Sequence, residues 1–163
     1  MKINKKMEDA LNSQIGHEFY AKMLYLAMAA YFEQKNLTGF AHWFRKQAQE
    51  EDTHAMKIYD FVLDRDGMIN LSAIEKPKGT FKNQLEIAQT ALGHERRVTE
   101  LINNLKELAQ KEKDHATDVF MHWFVDERVE EEQQAQWLVD QLTMAGDSKS
   151  ALLLIDRELG KRE

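Results

Sequence analysis

The chain has 163 residues and a formal net charge of −6, with 43% hydrophobic and 31% charged residues, one Pro and seven Gly. Such a length and composition fit one folded, mostly helical domain spanning 1–163 and argue against a disordered chain, and the acidic balance disfavours nucleic acid as a partner. Without Cys, disulfides, thiolate zinc sites and iron–sulfur clusters are excluded, so any metal must be held by carboxylate and imidazole.

The first predicted helix runs from about Lys5 to Gln34, where Leu11, Ile15, Glu18, Tyr25, Met28 and Phe32 recur on one face. A second is expected from Thr38, a candidate N-cap, to Asp66, with Phe40, Phe44, Ala48, Glu51, Ala55, Ile58 and Val62 in line and Gly67 as its stop. The segment that follows holds Gly67, Pro77 and Gly79, and at about 13 residues it is longer than a hairpin link and suits a crossover. A third helix, about Phe81 to Glu112, carries Leu85, Ala88, Leu92, Glu95, Val98, Ile102 and Leu105 on its stripe. Asp114 then stands as the N-cap of a fourth, His115 to Ala145, which presents Phe120, Phe124, Glu131, Ala135, Leu138 and Leu142 and closes on Gly146. A short fifth helix, about Ser148 to Leu159, is too brief to stand alone and needs a surface to pack on.

Short link, long crossover, short link between four long helices describes an all-α, up-down-down-up four-helix bundle with a short C-terminal helix. No stretch approaches the ~18 apolar residues of a membrane span, and the lysines at the start precede no apolar run, so the expected location is the cytoplasm, with no membrane partner.

Each apolar stripe is interrupted near mid-helix by an acid: Glu18, Glu51, Glu95 and Glu131 occupy positions where Leu or Ile is expected. Burying unpaired carboxylates costs several kcal/mol apiece or forces them to take up protons, so four converging on one interior call for a compensating cation. His54 follows Glu51 by one helical turn and can share its ion, and oxygen ligands with one imidazole suit iron or manganese. Tyr25, seven residues from Glu18, either bonds a metal ligand or takes part in one-electron chemistry, or is a core tyrosine with a backbone partner. His17, His42, His94, His115 and His122 read as surface or packing residues, and Met23, Met28, Met56 and Met144 as core filler in place of haem ligands.

These residues, with the stretches Ile15 to Tyr25, Gln47 to Met56, His94-Glu95, Trp123 to Glu132 and Leu152 to Leu159, resemble the prokaryotic non-haem ferritins over essentially the whole chain. The resemblance implies a ferritin-like bundle that binds Fe(II) and oxidises it with dioxygen or peroxide. In it Glu18, Glu51 and His54 hold one iron, Glu51 bridges to a second on Glu95 and Glu131, and Tyr25 matches the family's nearby tyrosine. It further implies a third iron site at Glu50, Glu127 and Glu130, no haem, and a homo-oligomeric shell of about 24 copies that stores Fe(III) mineral.

Arg128 departs from the pattern, standing where the family usually has Gln; it is expected to weaken the second iron position or to turn aside and pair with nearby acids. Asp52 replaces a residue the family usually has apolar and is expected to point outward; a haem-binding bacterioferritin would want Met there. The nearest alternative, a rubrerythrin-like di-iron peroxidase, is disfavoured by the absence of Cys and of a His in the fourth helix's Glu127 to Glu131 stretch.

Overall fold

The computed structural model describes residues 1–162, in which five helices follow one another without a strand among the described residues: α1 Lys5–Gln34, α2 Thr38–Asp64, α3 Gln84–Lys111, α4 His115–Ala145 and α5 Lys149–Leu159. The short links make α1 and α2 one antiparallel pair and α3 and α4 another; α1 also packs on α3, and α5 lies against α2 and α4.

Helix starts follow side-chain chemistry. Asn4, Asn83, Asp114 and Ser148 each accept from a backbone N–H in the first turn of the helix they precede. The expected cap of α2 is different: Thr38 lies inside the helix and Leu37 precedes it, with no side-chain bond. The end of α2 also differs from expectation, because the left-handed residue is Asp66, φ 53°, and not Gly67. Gly67 N–H still closes the turn by donating to the Val62 carbonyl at 2.9 Å. α3 begins three residues later than expected and ends at Lys111, since the bend at 82–83 leaves Asn83 to cap it.

The crossover, residues 65–83, runs along α1 without regular structure. The Asn12 side chain takes the place of a helical partner for it, donating to the Met68 carbonyl at 2.8 Å and accepting from Asn70 N–H at 2.7 Å, while Glu8 accepts from Met68 N–H at 2.9 Å. At the C-terminal end, Gly39 lets α5 approach: a Cβ there would stand 1.7 Å from the Asp156 carbonyl oxygen. Asp156 in turn accepts from Phe40 N–H at 3.0 Å.

The apolar core is divided. One cluster, around the stacked rings of Phe32, Phe40 and Phe44, takes Ala21 to Phe32 of α1, Phe40 to Ala48 of α2, Ile87 to Ala91 of α3 and Leu138 and Leu142 of α4. The other takes Met7 to Ile15, Ala55 to Val62, Val98 to Ala109, and Met121 and Phe124 of the same four helices. On every helix the gap between the clusters contains the interrupting acid: Glu18, Glu51, Glu95 and Glu131.

Of the methionines expected in the core, Met28 is fully buried, but Met23, Met56 and Met144 are exposed. They lie off the stripes, and an unbranched thioether can rest on the surface at little cost.

Candidate metal centre

The four acids of the gap are buried, each 4% exposed or less, together with His54, Arg128, Gln47 and Tyr25. Ligand atoms of Glu18, Glu51 and His54 lie within 4.8 Å of one another, with His54 Nδ1 3.3 Å from Glu51 Oε2. α1 delivers the first of these and α2 the other two, one turn apart on a single face, so the α1/α2 pairing alone assembles the group.

On the α3/α4 side, Arg128 Nη1 donates to Glu95 Oε2 at 2.5 Å, and Nη2 stands 3.9 Å from Glu131 Oε1. The arginine expected either to weaken the second position or to turn aside therefore points into the layer of acids. Tyr25 donates its hydroxyl to Glu95 Oε1 across the bundle, so its partner is an acid of the layer and not a backbone group. Two further residues, which sequence patterns left unmarked, complete the surround: Gln14 Nε2 donates to Glu18 Oε1 and Gln47 Nε2 to Glu131 Oε2, both at 2.8 Å. A buried Gln carries no signature of its own; the signal available was that each lies on the buried face, close to the acids.

The electrostatics record an unmet need for positive charge. Burial, reinforced by the charge of Glu51, pushes Glu18 up to about 8. Burial and the charge of Glu131 push Glu51 up to about 7. Glu95 is raised by burial in spite of Arg128. Burial opposes a charged guanidinium at Arg128, but Glu95, Glu51 and Glu131 outweigh it and keep that side chain protonated. Oε2 of Glu18 and Nε of Arg128 are buried without a partner, so the layer is not saturated by protein groups alone.

The residues expected at a third iron are less gathered. Ligand atoms of Glu127, His54 and Glu131 lie within 4.8 Å of one another, but Glu50 is held by Arg162, whose Nη2 is 2.8 and 3.0 Å from its two oxygens. Glu130 is exposed and accepts from Gln134. Asp52 faces outward as expected and pairs with Lys22 at 2.8 Å.

The remaining histidines stay outside the centre. His17, His115 and His122 are exposed, and His42 Nε2 meets the Arg162 carbonyl at 2.6 Å. His94 is wedged between Tyr20 and Tyr25 and pushed down to about 4 by burial and by the charge of Arg128, so it is a neutral packing residue.

Comparison with known proteins agrees with this architecture. A Ferritin-like domain profile matches residues 8–145. The chain is 41% identical to a bacterial non-heme ferritin of Staphylococcus aureus and 43% identical to that of Staphylococcus saprophyticus, in each case over 98% of this chain and 96% of the relative. An open pore ferritin from the archaeon Archaeoglobus fulgidus superposes with a TM-score of 0.98 at 45% identity, over 99% of this chain and 100% of that one. With an acid on each of four helices meeting in one buried layer, and these relatives matching from end to end, the chain belongs to the ferritin family of iron-storage proteins.

Proposed function

We propose that the chain is a ferroxidase as well as a store: Fe(II) enters the acid layer, gives up one electron to dioxygen or peroxide, and leaves as Fe(III) for a mineral held inside a shell of identical copies. Glu18, Glu51 and His54 are the residues we assign to the entering ion, and the observation that carries the reading is their convergence, buried, within 4.8 Å. Two carboxylates and one imidazole nitrogen offer an oxygen-rich set suited to iron, and the charge of Glu18 and Glu51 favours Fe(III) over Fe(II), which assists the oxidation.

Glu95 and Glu131 face this group from α3 and α4 and complete the centre, with Tyr25 fixing Glu95 and Gln47 fixing Glu131. Their role is to hold negative charge beside the ion and to orient it. Glu127 provides a half-buried carboxylate next to His54 and Glu131, on the path we assign to the departing ion. Leu153 and Leu154 of α5 are exposed apolar side chains of the kind that a neighbouring copy would cover in a shell of about 24 subunits.

Aerobic addition of Fe(II) to the purified protein, followed by gel filtration with iron detection, tests the reading. Hundreds of irons travelling with a large particle are expected. Iron limited to one or two per chain in a small oligomer would mean an oxidase or peroxidase without storage. Glu51→Ala is expected to abolish oxidation at the centre, and full activity in that variant would sink the assignment.

A further inference from the structure

We propose that Arg128 is a built-in cation that occupies the second metal position, so that the buried centre takes one metal ion per chain, at Glu18, Glu51 and His54. This rests on the functional reading above.

The geometry divides the acid layer in two. Glu18, Glu51 and His54 form an open group in which one carboxylate oxygen, Glu18 Oε2, has no partner. Glu95 and Glu131, the two acids left over, are already bridged by one guanidinium, with Arg128 2.5 Å from the first and 3.9 Å from the second. Three of the four carboxylate oxygens on that side accept hydrogen bonds, Glu95 from Tyr25 and Arg128 and Glu131 Oε2 from Gln47, and the fourth, Glu131 Oε1, faces the Arg128 guanidinium at 3.9 Å. Arg128 is 4% exposed and set between acids on two helices, so turning it out would leave the Glu95 carboxylate buried without its cation.

Charge counting points the same way. The four buried carboxylates carry four negative charges when ionised, and Arg128 cancels one. A single trivalent ion then neutralises the layer, whereas two divalent ions would leave it positive, and a like charge beside the guanidinium at these separations is strongly unfavourable. With a neutral residue at 128 the balance reverses, since two divalent ions would match four carboxylates.

The other gathered group, His54 with Glu127 and Glu131, does not add a place, because it shares His54 with the first. A neutral imidazole has one acceptor nitrogen and serves one ion. Beside this group, Glu50 is paired with Arg162, whose Nη2 donates to both of its oxygens. The two arginines therefore close the centre on both sides of the Glu18, Glu51 and His54 group.

Anaerobic titration of the assembled protein with Co(II), read by d–d absorption, metal analysis after dialysis and electron paramagnetic resonance, tests this without any oxidation step. The wild-type chain is expected to take one tight Co(II) with an isolated-ion spectrum. Arg128→Gln and Arg128→Met are expected to take two, magnetically coupled, and Arg128→Lys is expected to stay at one. Using both uncharged variants keeps the test open if one of them fails to fold. Two coupled ions in the wild type, or one ion in both uncharged variants, would overturn the proposal while leaving the ferroxidase reading intact. No tight ion in any variant would overturn that reading, and the proposal with it.

Discussion

Tyr25 on α1 donates its hydroxyl to Glu95 on α3, and with the Gln47–Glu131 bond from α2 to α4 it ties the two helical pairs together through the acid layer. Tyr25→Phe removes this donor and leaves Glu95 Oε1 buried without another partner. Leaving a buried acceptor unsatisfied costs about 1–3 kcal/mol, so the metal-free variant is expected to melt several degrees below the wild type. Differential scanning calorimetry checks this, and an unchanged midpoint would mean that water or Arg128 takes over the contact.

Glu18 illustrates the opposite sign. Its carboxyl ionises near 8 when buried and 4.5 in the unfolded chain, so the unfolded state releases its proton first. Stability of the metal-free protein therefore falls as pH rises from about 4.5 to about 8 through this group, by about 3 kcal/mol at pH 7. Glu18→Gln is expected to raise the melting point of the metal-free protein at neutral pH and to abolish the further rise that a bound ion confers on the wild type. Thermal scans with and without Co(II) measure both effects.

Arg65, at the end of α2, donates to both Asp114 oxygens at 2.9 and 3.1 Å and to Thr117 Oγ1 at 3.0 Å, so the N-cap of α4 is also a side-chain lock between the two helical pairs. Burial alone would raise Asp114, but the hydrogen bonds from Arg65 and Thr117 outweigh it and hold its carboxyl below 3.8. The stability from this lock is in full force above the unfolded value and is lost as pH falls through the lower folded one. Asp114→Ala, which leaves Arg65 buried and unpaired, is expected to cost about 3–5 kcal/mol, and its melting point should depend less on pH below 4 than that of the wild type.

Gly39→Ala places a methyl group where the Asp156 carbonyl now sits, at backbone and not at a yielding side chain. We expect α5 to lift from α2. Faster limited proteolysis within 149–159 and loss of the large assembly on gel filtration are the readouts; an intact assembly with an unchanged digestion pattern would show that α5 can shift without detaching.

The sequence made the four acids legible because helical period is rigid: a Glu on a stripe of Leu, Ile and Phe has to face inward, and Glu18, Glu51, Glu95 and Glu131 all do. The caps at Asp114 and Gly146 were readable for the same local reason. What stayed hidden depends on distance along the chain. Gln47 reaches Glu131, 84 residues away, Arg162 reaches Glu50, 112 residues away, and neither residue type announces a partner. The direction of Arg128 was open until α3 and α4 were placed, because pairing with acids and pointing into the site turned out to be one conformation. The end of α2 was misplaced because Asp66 adopts the left-handed turn usually given to Gly.

The division of the core into two apolar clusters with acids between them has a mechanical consequence. Each long helix is anchored toward its two ends by oily packing and meets its neighbours at the waist through buried acids that hold protons or lean on Tyr25, Gln47 and Arg128, so the metal-free bundle has a polar belt around its middle. Under the function proposed above, an ion bound there would brace that belt, cargo and brace would be the same atom, and the waist is expected to be looser whenever iron has moved on toward storage.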